Sequence, residues 1–130
     1  MSIYTLEEGV HVLGERLTFD FTTPNATPVP FTLRQIPLNS AESYVFRVLA
    51  RDNAGHSKIG ISNAGGQNAA GVATLFGVGT IGWNTGWDPA LNALAGAYAP
   101  SGAAVVLTLT GIATPVRWRV ILEVPATAAL

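Results

Sequence analysis

The chain has 130 residues, no cysteine, a formal net charge of −1 and a charged fraction of 12%. This length suits one hydrophobic core, so we expect a single domain over residues 1–130. The missing cysteines exclude disulfides and thiolate metal sites, and with few basic residues and a net charge of −1 we expect no nucleic-acid partner.

The start of the chain does not have the pattern of a secretory signal. It contains Glu7 and Glu8 and lacks both a basic start and a continuous apolar segment. No run approaches the roughly 18 apolar residues that a membrane-spanning helix needs. We therefore expect a soluble protein that is made in a cytoplasm and has no membrane partner.

Alternation of apolar and polar residues predicts the first two strands. The alternation begins at Leu17 and ends at the Thr23-Pro24 pair. After a loop bounded by prolines, it resumes with Phe31, Leu33 and Gln35. A period of two is typical of a strand with one core face, so two half-buried strands open the fold.

The later strands follow the same pattern. A central strand, apolar on parts of both faces, is predicted from Tyr44 to Arg51. Shorter strands are predicted at residues 57–62, 72–76 and 104–110. The clearest alternation lies in the last strand, where one face carries Val116, Trp118, Val120, Leu122 and Val124.

Turn signals separate these strands at Asp52-Asn53-Ala54-Gly55, Asn63-Ala64-Gly65-Gly66, Asn84-Thr85-Gly86 and Pro100-Ser101-Gly102. One helix is predicted between two strands, because Asp88-Pro89 provides an N-cap with proline at the first helical position, and an Ala/Leu-rich run extends to Gly96. The sequence therefore predicts an all-β fold, a β-sandwich or jelly roll of about seven or eight strands, with one short helix of about two turns near residues 88–96.

Charge is distributed unevenly along the chain. From Ile59 to Val116 the only charged residue is Asp88. A domain this small leaves much of its surface outside its own core, so part of this uncharged surface is expected to be covered by another chain. The alternative is a neutral but solvent-exposed surface, rich in glycine, alanine, serine, threonine and asparagine.

Motifs for catalysis or cofactor binding receive little support. Gly77-Val78-Gly79-Thr80-Ile81-Gly82 is a G-x-G-x-x-G, but it lacks the helix and the later acid of a dinucleotide site, so a glycine-rich strand or bulge explains it better. His11 and His56 have no second histidine or carboxylate at ligand spacing within one element, so we expect ordinary surface or strand histidines, with pH sensing as the alternative. We expect no cofactor, no metal site and no enzymatic activity.

Five residues are candidates for binding. Trp83, Asn84 and Trp87 lie in a turn-like segment where an indole could stack on a sugar or on a partner's side chain, or could instead plug the end of the sandwich. Arg117 and Arg119 flank Trp118 on the polar face of the last strand, where they could pair with acids of a neighbouring chain or simply contact water.

The C-terminal third resembles the closing strands of small accessory structural proteins of tailed-bacteriophage virions. The resemblance lies in Ser101-Gly102-Ala103-Ala104-Val105-Val106-Leu107-Thr108-Leu109-Thr110-Gly111, followed by Thr114-Pro115-Val116-Arg117-Trp118-Arg119-Val120. It implies a β-sandwich or jelly-roll protomer, commonly trimeric, that decorates or cements a capsid or forms part of a head or tail fibre. It also implies a location in the virion after synthesis in the host cytoplasm.

The function expected from these observations is that of a self-associating virion subunit, with a homotrimer favoured and the major capsid protein or another virion protein as partner. The alternative is a lectin-like module that binds a glycan or receptor through Trp83 and Trp87.

Overall fold

The computed structural model describes residues 3–6, 9–12, 15–77, 79–84, 86 and 88–130, with side chains from residue 15 onward. Within these residues the protein is all-β, and eight of its ten strands form two antiparallel sheets. In chain order the strands are β1 Ile3–Leu6, β2 Gly9–Val12, β3 Glu15–Thr23, β4 Val29–Gln35, β5 Ser40–Asp52, β6 Ser57–Ala69, β7 Val72–Gly77, β8 Ala95–Ser101, β9 Ala104–Thr110 and β10 Val116–Ala129. The predicted fold class is confirmed.

The two sheets pack face to face around one core. The larger sheet has the order β3-β10-β5-β6-β7, the smaller has the order β4-β9-β8, and β1 pairs with β2 in a sheet of their own. Aromatic rings join the two layers. The ring centroids of Phe46 on β5 and Tyr98 on β8 are 4.6 Å apart, and those of Phe21 on β3 and Phe31 on β4 are 3.8 Å apart. The single-domain assignment of residues 1–130 stays a prediction.

The alternation of β10 is fully reflected in burial. All five apolar residues predicted to share its core face are at most 2% exposed. Trp118 is the second residue of this row, and its indole Nε1 donates a hydrogen bond to Thr23 Oγ1 at 2.9 Å. This bond satisfies the one polar atom of the largest buried side chain, so the ring can lie between the sheets at little cost.

The predicted helix near residues 88–96 is present only as one 3₁₀ turn, Pro89–Leu91. The capping prediction is correct, because Asp88 Oδ1 accepts the amide hydrogen of Ala90 at 2.9 Å. The second turn does not form, and β8 begins at Ala95 instead. A short helix has few hydrogen bonds to offset its nucleation cost, and Gly96 is needed in the strand, where an added Cβ would lie 2.1 Å from Ile81.

The predicted turn at Asn63-Ala64-Gly65-Gly66 is wrong, because these residues lie inside β6. Gly65 pairs with Ser43, and Gly66 pairs with Glu42. A Cβ on Gly66 would lie 2.9 Å from both Ile36 and Leu75. The glycines permit close packing in a continuous strand, which turn statistics cannot distinguish from a reversal of the chain.

The G-x-G-x-x-G segment closes one side of the sandwich. Residue 80 forms a bridge with Ala97 of β8, and Trp83 forms one with Gly60 of β6. The chain therefore passes from the small sheet to the large sheet within a few residues. A Cβ on Gly82 would lie 2.9 Å from the carbonyl oxygen of Ile61, which confirms the predicted close approach of backbones.

No helix of the described residues is long and apolar enough to span a membrane.

Candidate interaction surfaces

The outer face of the small sheet carries no charged side chain. Its members alternate with the core residues of their strands, and we call them the neutral face: Pro30, Thr32, Ala95, Ala97, Ala99, Val106, Thr108 and Thr110. Thr108 is central, because it lies between Pro30 and Ala97 in the sheet. The charge-poor stretch of the sequence thus supplies most of one flat surface.

The same stretch also exposes large apolar side chains on the outer side of the large sheet. Val72 and Phe76 on β7 are 65% and 51% exposed, and Ile59 on β6 is 52% exposed. Val72 and Phe76 pair with Ala69 and Gly65, whereas Ile59 lies near the other end of β6, so these side chains do not form one patch.

Five of the six arginines lie on the outer face of the large sheet, which we call the basic face. Strands β3, β5 and β10 bring them together with only two acids: Arg16, Asp20, Arg47, Arg51, Arg117, Arg119 and Glu123. The protein as a whole has a net charge of −1, so this face is positive against the trend of the chain. A positive face favours a partner with an acidic surface.

The two acids of the basic face hold two of its arginines. Arg119 binds Asp20 with a 2.8 Å contact from Nε to Oδ1, and Arg47 binds Glu123 at 2.7 Å. The hydrogen bond from Arg119 keeps the pKa of Asp20 below its usual value. Both pairs are exposed to solvent, so we expect them to contribute little to folding stability.

Arg51 and Arg117 lie directly opposite each other on β5 and β10. Neither forms an ion pair within the described part of the chain. Like charges in directly opposed positions destabilise a sheet, so an anion from outside would relieve their repulsion. Both line a depression of about 480 Å³ together with Arg119.

The five predicted binding residues fall into separate groups. Asn84 and Arg119 line a shared depression of about 340 Å³, whose walls include the aliphatic side chains of Leu49, Ile59 and Ile61. Arg117 lines the adjoining larger depression. Trp87 lies outside the described residues.

Trp83 is turned toward the core. Its ring lies 6.1 Å from that of Trp118, and the ammonium group of Lys58 lies 4.4 Å from the ring centroid. The ring is half-buried and packs against the hydrophobic core. This position matches the interpretation in which the indole plugs the end of the sandwich.

Lys58 is a buried cation that the sequence reasoning missed. Its Nζ donates to the carbonyl oxygens of Leu91, Asn92 and Leu94 at 3.2 to 3.4 Å, and the residue is 2% exposed. Burial lowers the pKa of its ammonium group. Lys58 therefore anchors the loop around the 3₁₀ turn to β6.

A second buried charged group joins the two sheets. Glu42 on β5 accepts two hydrogen bonds from the guanidinium of Arg34 on β4 and one from the hydroxyl of Tyr44 at 2.8 Å. Arg34 also contacts Glu15 at 2.9 Å. Burial, followed by the contact with Glu42, raises the pKa of Tyr44 well above its usual value.

His56 lies between two carboxylates that belong to other elements of the chain. Its Nδ1 lies 2.6 Å from Asp52 Oδ2, and its Nε2 lies 3.6 Å from Asp88 Oδ2. Asp52 is four residues earlier, across the β5–β6 turn, so no spacing rule within one strand could find the pair. Since both ring nitrogens face acids, neither is directed at a hydroxyl nucleophile.

We expect His56 to make folding stability depend on pH. The hydrogen bond that His56 donates to the carboxylate of Asp52, followed by the charges of Asp52 and Asp88, raises the pKa of His56. Its contribution to stability is therefore complete below the unfolded value of about 6.5 and is lost as the pH rises through the higher folded value. Urea unfolding of the wild type and of His56→Gln at several pH values should show the two stabilities converging as the pH rises.

The partner carboxylate has the opposite dependence. The hydrogen bond from His56 lowers the pKa of Asp52, so its contribution is present above about 3.8 and is lost at more acidic pH. The difference between wild type and variant should be largest between these two limits. A difference that stays constant from acidic to alkaline pH would contradict the assignment.

Among the described residues there is no group of three or more histidine, cysteine, aspartate or glutamate side chains that could hold a metal ion.

No protein-family model matches the chain, and no curated protein matches it. Among solved structures, the chain is similar to a tailspike protein of the Acinetobacter baumannii bacteriophage Fri1, a capsular polysaccharide depolymerase, with 14% sequence identity and a TM-score of 0.42. The match covers 99% of this chain and 21% of that protein, so the chain spans about a fifth of its length. A similarity of this strength carries no argument about function.

Proposed function

We propose that the protein is a virion structural subunit that self-associates through its neutral face, with a trimer favoured, and contacts an acidic surface of another virion protein through its basic face. In this role it decorates or cements a capsid or forms part of a head or tail appendage. The observation that carries the proposal is the separation of charge: the outer face of one sheet carries no charged residue, whereas the outer face of the other collects five arginines.

The neutral face supports contact between copies of the chain. Threonine, alanine and valine side chains form a low relief that a second sheet can approach closely, and covering them desolvates no charge. The resemblance of the C-terminal third to phage accessory proteins includes β9, which runs through the middle of this face.

The basic face is better suited to a different partner. Two copies brought together through this face would place arginines against arginines, which costs free energy. An acidic surface would instead pair with Arg51 and Arg117. Salt should weaken such a contact more strongly than it weakens the neutral contact.

The role proposed here is not catalytic. The alternative of a sugar-binding module depends on two exposed indoles, and Trp83 uses one side of its ring for Lys58 and packs against the core. This position favours assembly over sugar stacking at Trp83.

A charge placed at the centre of the neutral face tests the proposal. We expect light scattering over a dilution series to give about three times the 13.5 kDa mass of the monomer, or more, for the wild type. Thr108→Lys should reduce this mass and weaken association at least tenfold, because the ammonium group would lose its hydration in the contact.

Thr114→Lys is the matched control, since Thr114 is exposed in the loop between β9 and β10 and lies off the neutral face. This variant should keep the wild-type mass. A wild-type protein that remains monomeric at every concentration would refute self-association, and an unchanged mass for Thr108→Lys would refute the neutral face as the contact.

A further inference from the structure

The two main sheets have four edge strands, and three of them are protected against pairing. In β4, Pro30 lacks an amide hydrogen and a bulge lies between Thr32 and Arg34. In β8, Gly96 and Tyr98 form backbone hydrogen bonds with residues 79–81, which cover this edge. Such features are the usual means by which proteins prevent their sheets from extending.

The third protected edge, β7, is short. It has six residues, ends at Gly77, and uses the amide of Ala73 to bind the carbonyl oxygen of Gly102 at 2.8 Å. Little of its backbone is therefore free to pair with another strand.

The fourth edge strand, β3, has no such protection from the residues that the structure describes. It has nine residues, contains neither proline nor glycine, and pairs with β10 without a bulge along its whole length. No backbone hydrogen bond from the described residues reaches its other side. A long, regular strand with a free row of amide and carbonyl groups is a template for another strand.

The side chains of β3 indicate which strand would pair with its free edge. A second β3, related by a two-fold axis at Thr18, would place Arg16 opposite Asp20 of the second copy, and the same pair would occur twice. On the inner side, Leu17 would lie opposite Phe19 of the second copy. Opposite charges and apolar pairs in directly opposed positions both stabilise antiparallel pairing.

Other two-fold registers lack this match. An axis at Arg16 or at Asp20 would place like charges directly opposite each other. An axis at Leu17 or Phe19 would leave each charge opposite an uncharged residue. Only the axis at Thr18 pairs the two charges on the outward side of the strand, Arg16 and Asp20, while Glu15 on the inner side lies opposite Phe21.

We propose that β3 pairs antiparallel with β3 of a second copy about a two-fold axis at Thr18, joining two five-stranded sheets into one sheet of ten strands. This contact is separate from the neutral face and goes beyond the proposed function. It can build a dimer by itself, or it can join the assemblies that the neutral face forms.

Position 18 allows a direct test, because the axis places residue 18 of one copy directly opposite residue 18 of the second copy. Thr18 is exposed on the outer face of β3, so a charge there should leave the monomer folded. Thr18→Lys and Thr18→Glu should each weaken the two-fold contact at least tenfold. An equimolar mixture of the two variants should regain it as a heterodimer, because lysine then faces glutamate.

The measurement is native mass spectrometry in the Thr108→Lys background, which removes the neutral contact. Thr108→Lys alone should be a dimer, the two double variants should each be monomers, and their mixture should contain the mixed dimer. Thr114→Lys, added in place of the change at position 18, should leave the dimer intact, and circular dichroism should show the same sheet content for every variant.

Several results would overturn the pairing. They are a monomeric Thr108→Lys protein, Thr18 variants that remain dimeric, and a mixture that stays monomeric. A monomeric Thr108→Lys protein beside an oligomeric wild type would refute the β3 contact and leave the neutral face standing. If the oligomer mass falls only when Thr18 is changed, and not when Thr108 is changed, the neutral face would be refuted as a contact.

Discussion

Replacing Lys58 with methionine should lower the free energy of unfolding by about 3 kcal/mol, because it removes the donor for three carbonyl oxygens at once. Each of these oxygens would lose its contact with the ammonium group in a site that is almost closed to water. The methionine side chain keeps most of the length of lysine, so a cavity would add little to the loss.

The effect should be local as well as global. The ammonium group joins β6 to the loop around Leu91 and Leu94, whose side chains are buried in the core. Without this contact, amide hydrogen exchange should become faster in residues 89–94 than in β5 or β10. The same loop carries Asp88, so the contact with His56 would weaken too.

Urea unfolding of Lys58→Met, compared with Arg51→Met, gives the measurement and its control. Arg51 is exposed, and no ion pair with the described residues holds it, so its replacement should change stability by less than about 0.5 kcal/mol. Equal losses for the two variants would mean that Lys58 contributes no more than a surface cation.

Lys58 also shows where sequence patterns mislead. Along β6, Lys58, Gly60 and Ser62 face the core, whereas Ile59 and Ile61 face outward, the reverse of the usual order. The reason is the crossing segment that packs on this strand. A Cβ on Gly60 would lie 2.5 Å from Ile81, and Ser62 Oγ accepts the amide hydrogen of Gly82 at 2.8 Å.

Where no other segment covers a strand, sequence alternation was sufficient. The core faces of β5 and β10 follow the alternation closely, because each strand has one sheet partner on either side and one opposing layer. The 3₁₀ turn, the continuous β6 and the inward Trp83 depend on contacts between segments far apart in sequence. Local patterns contain no information about those contacts.

The candidate surfaces were predictable only in part, because they depend on which strands lie next to each other in the fold. The charge-poor stretch was visible in the sequence, and its strands adjoin each other in the fold. The basic face was only partly visible, through Arg117 and Arg119. Arg16, Arg47 and Arg51 join them because β3 and β5 flank β10, a neighbourhood fixed by topology.

Replacing Glu42 with glutamine should also cost about 3 kcal/mol of unfolding free energy, because it breaks a buried ion pair that ties one sheet to the other. The Glu42 side chain is 1% exposed and that of Arg34 is 12% exposed, so little water can reach the guanidinium that loses its counter-charge. Glu15 still contacts Arg34 and keeps the loss near the lower end of the range for buried pairs.

Glu123→Gln provides the matched control for this change. Its ion pair with Arg47 is exposed, so the loss should be no more than about 1 kcal/mol in the same urea experiment. Tyr44→Phe should cost about 1 kcal/mol, because it removes a single hydrogen bond to Glu42.

The combination of Glu42→Gln with Tyr44→Phe separates a network from independent contacts. Tyr44 and Arg34 share one carboxylate, so the double variant should lose less than the sum of the two single losses. Losses that add fully would show that the phenol and the guanidinium act independently.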